Sequence, residues 1–292
     1  MDFGELITAM VTPFDRNNRL DFTAVEKLIA HLIKQGSDAI LLAGTTGESP
    51  TLTDEEKLEL FKFAVKNFKR EIKIIAGTGS NDTNHSIELS KAAQKAGVDG
   101  LLIVTPYYNK PSQEGLYKHF SAIAKSVDIP VILYNVPSRT SCNIDASTCI
   151  KLSAIENITG IKEASSDFKQ IAEIIRDTPD NFYVYSGNDG DTLCMLSIGA
   201  YGVISVASHI VGEKIKTMIR MYKEGRVSES ARIHQWLLDI FYGIFIVTNP
   251  VPIKTALNLA GINVGSVRLP LTEMPVNELN KFKTILKKYA II

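Results

Sequence analysis

The chain has 292 residues, enough for one large barrel with an extra segment or for two ordinary domains. Apolar residues make up 45% and charged residues 22%, as in soluble globular enzymes, and a core of this size needs neither disulfides nor a structural metal. Lys plus Arg and Asp plus Glu number 32 each, so the net charge is zero, which argues against a nucleic acid or an anionic membrane as partner.

Cysteine usage and the apolar stretches predict a cytoplasmic protein. Cys142, Cys149 and Cys194 form no CxxC pair and are typical of free thiols in a reducing compartment. The first ten residues carry two acidic side chains and no basic segment, so we expect no signal peptide. The most apolar stretch, residues 236–247, contains Asp239 and is shorter than the roughly 20 residues of a membrane span. A buried helix is predicted there.

Short apolar runs alternate with amphipathic runs along most of the chain. The short runs are apolar on both faces, as parallel strands are when helices cover them. The predicted strands are residues 6–10, 39–42, 72–76, 100–104, 131–134, 159–162, 182–185 and 202–205.

Helical patterns fall between these strands. The first has apolar side chains at helical spacing within residues 25–33, and Gly36 follows as a C-terminal stop. Two pairs at capping-box spacing predict how the first two helices begin, Thr23 with Glu26 and Thr53 with Glu56. The later helices are predicted at residues 83–96, 112–125, 145–152, 168–177 and 192–198.

Eight strand–helix units within about 225 residues are typical of a (β/α)₈ barrel of the α/β class. An open doubly wound sheet is the alternative, but it normally has a glycine-rich nucleotide-binding turn after its first strand. Residues 11–14, Val-Thr-Pro-Phe, contain no glycine. We therefore predict a catalytic barrel over residues 1–225 and a C-terminal helical extension over residues 226–292.

A lysine stands where such barrels place reacting groups, at the C-terminal end of a strand. The sixth strand ends in Gly160-Ile161-Lys162-Glu163, and a buried lysine is costly unless it has a partner or a task. One interpretation is a structural lysine that reaches solvent or pairs with Glu163. The other is a nucleophile, because desolvation lowers the pKa of an amine and a neutral amine attacks a ketone to form a Schiff base.

Three neighbouring features are compatible with the nucleophile. Tyr134 ends the adjacent fifth strand, where its phenol could shuttle protons or be an ordinary core tyrosine. The glycine-rich turn at residues 44–48 could hold a carboxylate on backbone N–H groups at the start of the following helix, and it lacks the Gly-Lys-Ser/Thr of a phosphate loop. Arg139 suits a substrate carboxylate, although a solvated surface arginine is commoner at such a position.

Other chemistries have little support in the sequence. None of the five histidines has metal-ligand spacing with another, which argues against a metal-dependent aldolase. The chain also has neither a Gly-x-Ser-x-Gly nucleophile elbow nor a dinucleotide fingerprint.

Four motifs at the predicted strand ends are recognisable as a set. They are Gly44-Thr45-Thr46-Gly47-Glu48, Tyr107-Tyr108-Asn109, Tyr134-Asn135-Val136-Pro137-Ser138-Arg139-Thr140 and Gly160-Ile161-Lys162-Glu163. With them the chain resembles the dihydrodipicolinate synthase family, within the N-acetylneuraminate lyase superfamily. The resemblance spans nearly the whole chain and includes Asn249-Pro250-Val251-Pro252-Ile253-Lys254 in the extension. Each motif alone is weak evidence for a family, but four motifs in this order at strand ends are highly specific.

The resemblance implies a reaction and a set of roles. Pyruvate and L-aspartate 4-semialdehyde would condense to 4-hydroxy-tetrahydrodipicolinate, an intermediate of lysine and diaminopimelate biosynthesis, through a covalent imine and without a cofactor. The protein would be a homotetramer, a dimer of tight dimers. The implied catalytic residues are Lys162 for the imine, Tyr134 for proton transfer, and Thr45 with Tyr108 from a neighbouring subunit for the proton relay. The implied substrate-binding residues are Thr46 and Ile204 for pyruvate, whose carboxylate the Thr45–Thr46 backbone would hold, Arg139 for the semialdehyde carboxylate, and Gly187.

Two alternatives stay open. The chain could be another Schiff-base lyase, such as N-acetylneuraminate lyase or a 2-keto-3-deoxy sugar acid aldolase, although Arg139 suits a short acidic aldehyde. It could also be a binding or regulatory protein with a silent site, against which the presence of every expected catalytic residue argues.

The resemblance also implies that free lysine inhibits weakly or not at all. Lysine-sensitive members bind the effector at the tight-dimer interface near residues 49–57, 81, 85 and 107, and they typically carry a glutamate where His85 stands here. They place a histidine at the position of Asp54 and, in some members, of Lys57. His85 cannot supply the missing negative charge and Lys57 would repel the ligand's amine, whereas Asp54 could compensate in part.

Overall fold

A computed structural model describes residues 2–292 of the chain, and its core is one closed sheet of eight parallel strands. The strands are β1 (Leu6–Ala9), β2 (Ala39–Leu42), β3 (Lys73–Gly77), β4 (Gly100–Val104), β5 (Val131–Asn135), β6 (Ile158–Glu163), β7 (Tyr183–Ser186) and β8 (Gly202–Ser205). Each strand pairs with its neighbours in sequence, and β8 pairs with β1 to close the barrel. The predicted (β/α)₈ barrel is confirmed.

Helices surround the barrel and continue beyond it. They are α1 (Phe22–Lys34), α2 (Asp54–Phe68), α3 (Thr83–Ala96), α4 (Gln113–Ala124), α5 (Pro137–Thr140), α6 (Ala146–Ser153), α7 (Phe168–Asp177), α8 (Thr192–Ser197), α9 (Ser208–Lys223), α10 (Val227–Gly243), α11 (Val251–Leu259) and α12 (Val276–Lys288). Every predicted strand is present, with ends that shift by at most one residue, and the sequence pattern missed the short α5 and the long α9.

Local capping confirms one predicted helix start and corrects the other. The Thr53 hydroxyl accepts from the Glu56 N–H at 3.2 Å and the Glu56 carboxylate accepts from the Thr53 N–H at 3.0 Å, so this capping box is real. At α1 the predicted pair of Thr23 and Glu26 is wrong. Asp21 caps this helix instead, because its carboxylate already accepts from the Ala24 N–H at 3.0 Å and the helix begins before Thr23.

Side chains alternate between two apolar cores along each strand. On β5, Ile132 and Tyr134 point into the barrel, whereas Val131 and Leu133 pack against the surrounding helices. Every second side chain of each strand therefore points into the barrel interior. The last layer of these side chains lies at the C-terminal ends of the strands. This alternation places Tyr134 inside the barrel, where the predicted site lies.

The C-terminal part of the chain is helical, as predicted, and α10 packs against α9. The predicted buried helix at residues 236–247 is wrong, because Trp236 is 43% and Tyr242 is 71% exposed. The helix α10 is amphipathic, and only one of its faces, including Leu237 and Ile240, is buried. Within residues 2–292, no helix has both the length and the apolar character to cross a membrane. The boundary at residue 225 stays a prediction.

Candidate active site

Two neighbouring strands bring Lys162 and Tyr134 together. The register of β5 and β6 sets Tyr134 opposite Lys162, and the Lys162 Nζ lies 4.5 Å from the centroid of the Tyr134 ring. Both side chains are buried, with exposed fractions of 5% and 6%. The predicted meeting of these two side chains is confirmed, and the amine lies over the aromatic face.

Burial changes the acid–base properties of Lys162. Desolvation, assisted by the positive charge of Arg139, lowers the pKa of the amine from 10.5 to about 8, although the charge of Asp189 acts in the opposite direction. Glu163 is not the partner of this amine, because successive residues of a strand face opposite sides. Its carboxylate accepts hydrogen bonds from the Asn135 amide at 3.0 Å and from the Ser165 N–H at 2.8 Å. The interpretation of Lys162 as half of an ion pair with Glu163 is wrong.

Tyr134 is held as a neutral phenol. Burial raises its pKa above the ordinary value of 10.0, and the charge of Arg139 and the hydroxyl of Thr45 only partly offset this rise. A phenol of raised pKa keeps its proton at neutral pH and can donate it to a neighbouring oxygen or nitrogen. The pair therefore combines a nucleophile with a proton donor at one point of the barrel.

A cavity of about 190 Å³ opens above these two residues. Its walls come from the ends of several strands and from the extension, which contributes Phe245 and Asn249. The polar side chains and the glycine on its wall are Thr45, Thr46, Tyr134, Ser138, Arg139, Lys162, Gly187, Asn188 and Asn249. The volume is below that of pockets for drug-sized ligands, so it suits a molecule of few atoms.

The glycine-rich turn after β2 reaches this cavity in a different way from the one predicted. Thr46 is 3% exposed, and Glu48 adopts a left-handed backbone with φ of 57°. A single 3₁₀ turn, Ser49–Thr51, follows the turn, and α2 begins only at Asp54. The prediction that the turn lies at the start of the next helix is therefore wrong. A carboxylate bound here would be held by groups of the turn itself, without the N-terminus of α2.

Of the two other predicted substrate-binding residues, Gly187 lies on the cavity wall and Ile204 lies in the barrel interior. Gly187 lines the cavity, and a Cβ there would come within 2.7 Å of the Ala164 Cβ and 3.0 Å of the Glu163 carbonyl oxygen, so the position needs glycine. Ile204 lies on β8 with its side chain in the barrel interior, in the same cluster as Tyr134, and the wall of the cavity above β8 is formed by Val206.

Arg139 and Tyr108 lie at the edge of the site. Arg139 is exposed on the short helix α5, and it lines both the small cavity and a neighbouring cavity of about 580 Å³. Tyr107 lines only the larger cavity, whereas Tyr108 has a φ of 74° and is 90% exposed. Within one chain Tyr108 is therefore not brought to Lys162.

A buried carboxylate that the sequence analysis missed stands close to the amine. Asp189 is 2% exposed, and it accepts hydrogen bonds from the Ser205 hydroxyl at 2.5 Å and from the Val206 and Ala207 N–H groups at 3.0 Å. Its negative charge keeps the pKa of Lys162 from falling further. An aspartate two residues after a strand-end glycine belongs to no motif, so sequence alone gave no signal. Among residues 2–292 no group of three His, Cys, Asp or Glu side chains is placed to hold a metal.

A closed (β/α)₈ barrel with a desolvated amine and a phenol at adjoining strand ends defines a class I aldolase-type lyase. The chain belongs to the dihydrodipicolinate synthetase family, whose model matches residues 2–289. This finding confirms the resemblance stated from the motifs.

Relatives of known name cover almost the whole chain. The chain is 51% identical over 289 residues to a 4-hydroxy-tetrahydrodipicolinate synthase of Oceanobacillus iheyensis, covering 99% of this chain and 98% of the relative. The crystal structure of a dihydrodipicolinate synthase from Bacillus anthracis superposes with a TM-score of 0.97 at 47% identity, covering 98% of each chain. A dihydrodipicolinate synthase from Cyanidioschyzon merolae, solved with lysine bound, gives a TM-score of 0.98 at 45% identity over 99% of each chain.

The lowered pKa of Lys162 predicts a pH dependence. Only the neutral amine attacks a carbonyl, so its rate of reaction with a small 2-oxo acid should rise with pH and level off above about 8. Below that pKa each pH unit should slow the step about tenfold. Borohydride trapping at short times across the neutral and alkaline range measures this rate, with Nα-acetyl-lysine as the control amine. A midpoint near the ordinary lysine value of about 10.4 would contradict the desolvation argument.

Proposed function

We propose that this chain catalyses the condensation of pyruvate with L-aspartate 4-semialdehyde to 4-hydroxy-tetrahydrodipicolinate, in lysine and diaminopimelate biosynthesis, through an imine on Lys162. The observation that carries the proposal is a buried amine whose pKa is about 8, facing a cavity of about 190 Å³ with Arg139 on its wall. Membership of the dihydrodipicolinate synthetase family supports the same reaction, and relatives that share half of the residues bear the corresponding name.

The chemistry begins with imine formation. The neutral Lys162 amine attacks the C2 carbonyl of pyruvate. The carbonyl oxygen gains one proton from the amine nitrogen, and it leaves as water after it receives a second proton. Tyr134, protonated and adjacent to the amine, is placed to supply that proton. The Thr45 hydroxyl forms a hydrogen bond with the Tyr134 phenol and so links the phenol to the proposed proton relay.

Carbon–carbon bond formation follows from the imine. Loss of a proton from the C3 methyl gives an enamine, and C3 attacks the aldehyde carbon, whose oxygen becomes a hydroxyl. The amino group of the second substrate then attacks C2, closes the ring and releases the Lys162 amine. The protonated imine itself accepts the electron pair from C3, so the proposal includes no cofactor.

Substrate recognition rests on carboxylates. Thr46 and Gly187 line the cavity, and with Ile204 below them they form the proposed pyruvate site. Arg139 can pair with the carboxylate of the semialdehyde from its exposed position at the entrance, because a guanidinium binds a carboxylate through two parallel hydrogen bonds. A sugar acid aldolase would need room for a polyhydroxyl chain in place of this charge.

The assembly and compartment are part of the proposal. An exposed pair of tyrosines, Tyr107 and Tyr108, is unusual on a free surface, because aromatic residues are enriched in interfaces. We infer that Tyr108 completes the proton relay of a neighbouring subunit in a homotetramer built as a dimer of tight dimers. The free thiols of Cys142, Cys149 and Cys194 are consistent with the cytoplasm.

The choice of aldehyde tests the proposed reaction. The wild-type protein should condense pyruvate with L-aspartate 4-semialdehyde and show little activity with N-acetylmannosamine or glyceraldehyde, because Arg139 favours a short acidic aldehyde. Consumption of pyruvate follows the reaction with all three aldehydes, and reduction of the ring product identifies the product formed from L-aspartate 4-semialdehyde. A higher kcat/KM for either neutral aldehyde would instead assign the chain to another Schiff-base lyase.

Loss of Arg139 should weaken binding of the semialdehyde more than binding of pyruvate. Arg139→Ala should raise the KM for L-aspartate 4-semialdehyde about 10- to 100-fold, the usual loss of a charged hydrogen bond, and should affect borohydride trapping of pyruvate less. Arg176→Ala is the matched control, since Arg176 is exposed and pairs with its neighbour Asp177 on α7. Equal losses for both substrates would remove Arg139 from the aldehyde site.

Subunit mixing tests the role of Tyr108. Lys162→Ala and Tyr108→Phe chains should each be nearly inactive alone, yet mixed oligomers should recover activity. In a mixed pair, one site combines an intact Lys162 with Tyr108 from the other chain. If Tyr108 served its own chain, no mixed site would be complete and activity would stay at the level of the separate variants. Sedimentation should show that both variants assemble as the wild type does.

We also expect weak or absent inhibition by free lysine. In the larger cavity the carboxylate that could compensate for a missing glutamate is already engaged, because Asp54 lies 2.7 Å from the His85 Nε2 and 3.7 Å from the Lys57 Nζ. Steady-state titration with lysine at saturating pyruvate measures the effect, and His85→Glu should increase it by adding a negative charge. Strong inhibition of the wild type by submillimolar lysine would contradict the charge argument.

A further inference from the structure

One buried polar side chain on the wall of the Lys162 cavity has no role in the proposed reaction. Asn249 lies between α10 and α11, outside the barrel in sequence, and is 5% exposed. Its Nδ2 donates a hydrogen bond to the Thr46 Oγ1 at 2.9 Å. Its Oδ1 is buried and has no hydrogen-bond partner within residues 2–292. A carboxylate has no hydrogen to donate to this acceptor, so any role of Asn249 toward a bound anion must come from its Nδ2.

The direction of this hydrogen bond determines what the Thr46 hydroxyl can do. An amide nitrogen carries only hydrogens and cannot accept, so the hydroxyl oxygen must be the acceptor. The single hydroxyl hydrogen then remains available, and among residues 2–292 no acceptor takes it. Since Thr46 lines the cavity, that hydrogen can be donated to an anionic oxygen of a bound molecule.

We propose that Asn249 is a positioning residue that fixes the Thr46 hydroxyl as a hydrogen-bond donor to the carboxylate of the 2-oxo acid. The inference rests on the proposed function, since it presupposes pyruvate in the Lys162 cavity. Without Asn249 the hydroxyl could rotate or bind water, and the carboxylate would lose an oriented donor. Asn249 acts through Thr46 and belongs to the C-terminal extension, so the extension forms part of the binding site.

The extension holds the same turn at a second point. The Lys254 Nζ lies 2.7 Å from the Glu48 Oε1 with both side chains 2% exposed, and the Arg268 N–H donates to the Glu48 Oε2 at 2.8 Å. Thr46 and Glu48 are therefore both fixed by residues that lie more than 200 positions later in the chain. A hydroxyl on a turn that is fixed at two points loses little freedom when it binds an anion.

A double-mutant cycle tests the proposal. Asn249→Ala should raise the KM for pyruvate about 5- to 30-fold, the usual loss of one oriented hydrogen bond, with a smaller change in kcat at saturating pyruvate. Thr46→Val should do the same. The double variant should be no worse than Thr46→Val alone, because Asn249 acts only through that hydroxyl. Additive losses, or an unchanged KM in Asn249→Ala, would overturn the proposal.

The isosteric variant Asn249→Asp gives an independent check and covers the case in which the alanine variant does not fold. A carboxylate can only accept, so it would draw the Thr46 hydrogen towards itself and repel pyruvate. Its KM should rise at least as far as that of Asn249→Ala. A wild-type KM in Asn249→Asp would mean that the side chain accepts from Thr46, and the proposal would fail.

A matched control and a trapping assay separate the possible failures. Asn258 makes structural hydrogen bonds in the same extension, to the Gly265 carbonyl at 2.9 Å and from the Val264 N–H at 2.8 Å, and it does not line the Lys162 cavity. Asn258→Ala should lower the melting temperature and leave the KM for pyruvate unchanged. If wild-type protein traps no pyruvate with borohydride, the proposed function itself fails. If it traps pyruvate and the cycle is additive, only the role of Asn249 fails.

Discussion

The Lys162 amine can act as a nucleophile near neutral pH because it is buried. A lysine that is 5% exposed has lost most of its hydration, and this loss is the main cause of its lowered pKa of about 8. Roughly a tenth of the amine is then neutral at pH 7. Closure of the barrel produces this environment, because β5 and β7 flank the strand that carries Lys162 and the Tyr134 ring covers the amine. Asp189, anchored at the end of β8, limits the shift.

A low pKa alone would not identify the nucleophile. Desolvation also lowers the pKa of Lys254 to about 8, yet this amine pairs with Glu48 at 2.7 Å and donates to the Ser266 carbonyl at 2.7 Å. Its role is structural, since it fixes the turn that carries Thr45 and Thr46. Lys162 differs because it has no carboxylate within ion-pair distance in residues 2–292 and faces the cavity. Geometry and pKa together separate the reactive lysine from the structural one.

The barrel architecture and the reactive residues at the strand ends could be predicted from the sequence alone. Two-sided apolar runs predicted all eight strands, and Lys162 and Tyr134 met because neighbouring strands of a barrel have aligned ends. Local rules failed where a competing interaction decided the outcome. Asp21 capped α1 in place of Thr23, and α10 turned Tyr242 outward although its composition suggested full burial.

Two residues of the site for which no role was predicted share a different physical origin. Asp189 and Asn249 reach the site through tertiary contacts, to the end of β8 and to the turn after β2. No periodicity or spacing encodes such contacts, since the partners lie 17 and 203 positions away. Chemistry that depends on a single strand end is therefore visible in sequence, whereas the groups that tune and orient it become visible only in the folded chain.

Mass spectrometry after borohydride reduction with pyruvate identifies the lysine that forms the imine. We expect one added three-carbon acid per chain, located on the peptide that contains Lys162. Lys162→Ala, which lacks the amine, and Lys162→Arg, whose guanidinium stays protonated, should carry no adduct. An adduct on Lys254, the other lysine whose pKa falls to about 8, or on any exposed lysine would contradict the claim that burial at the end of β6 makes Lys162 the nucleophile.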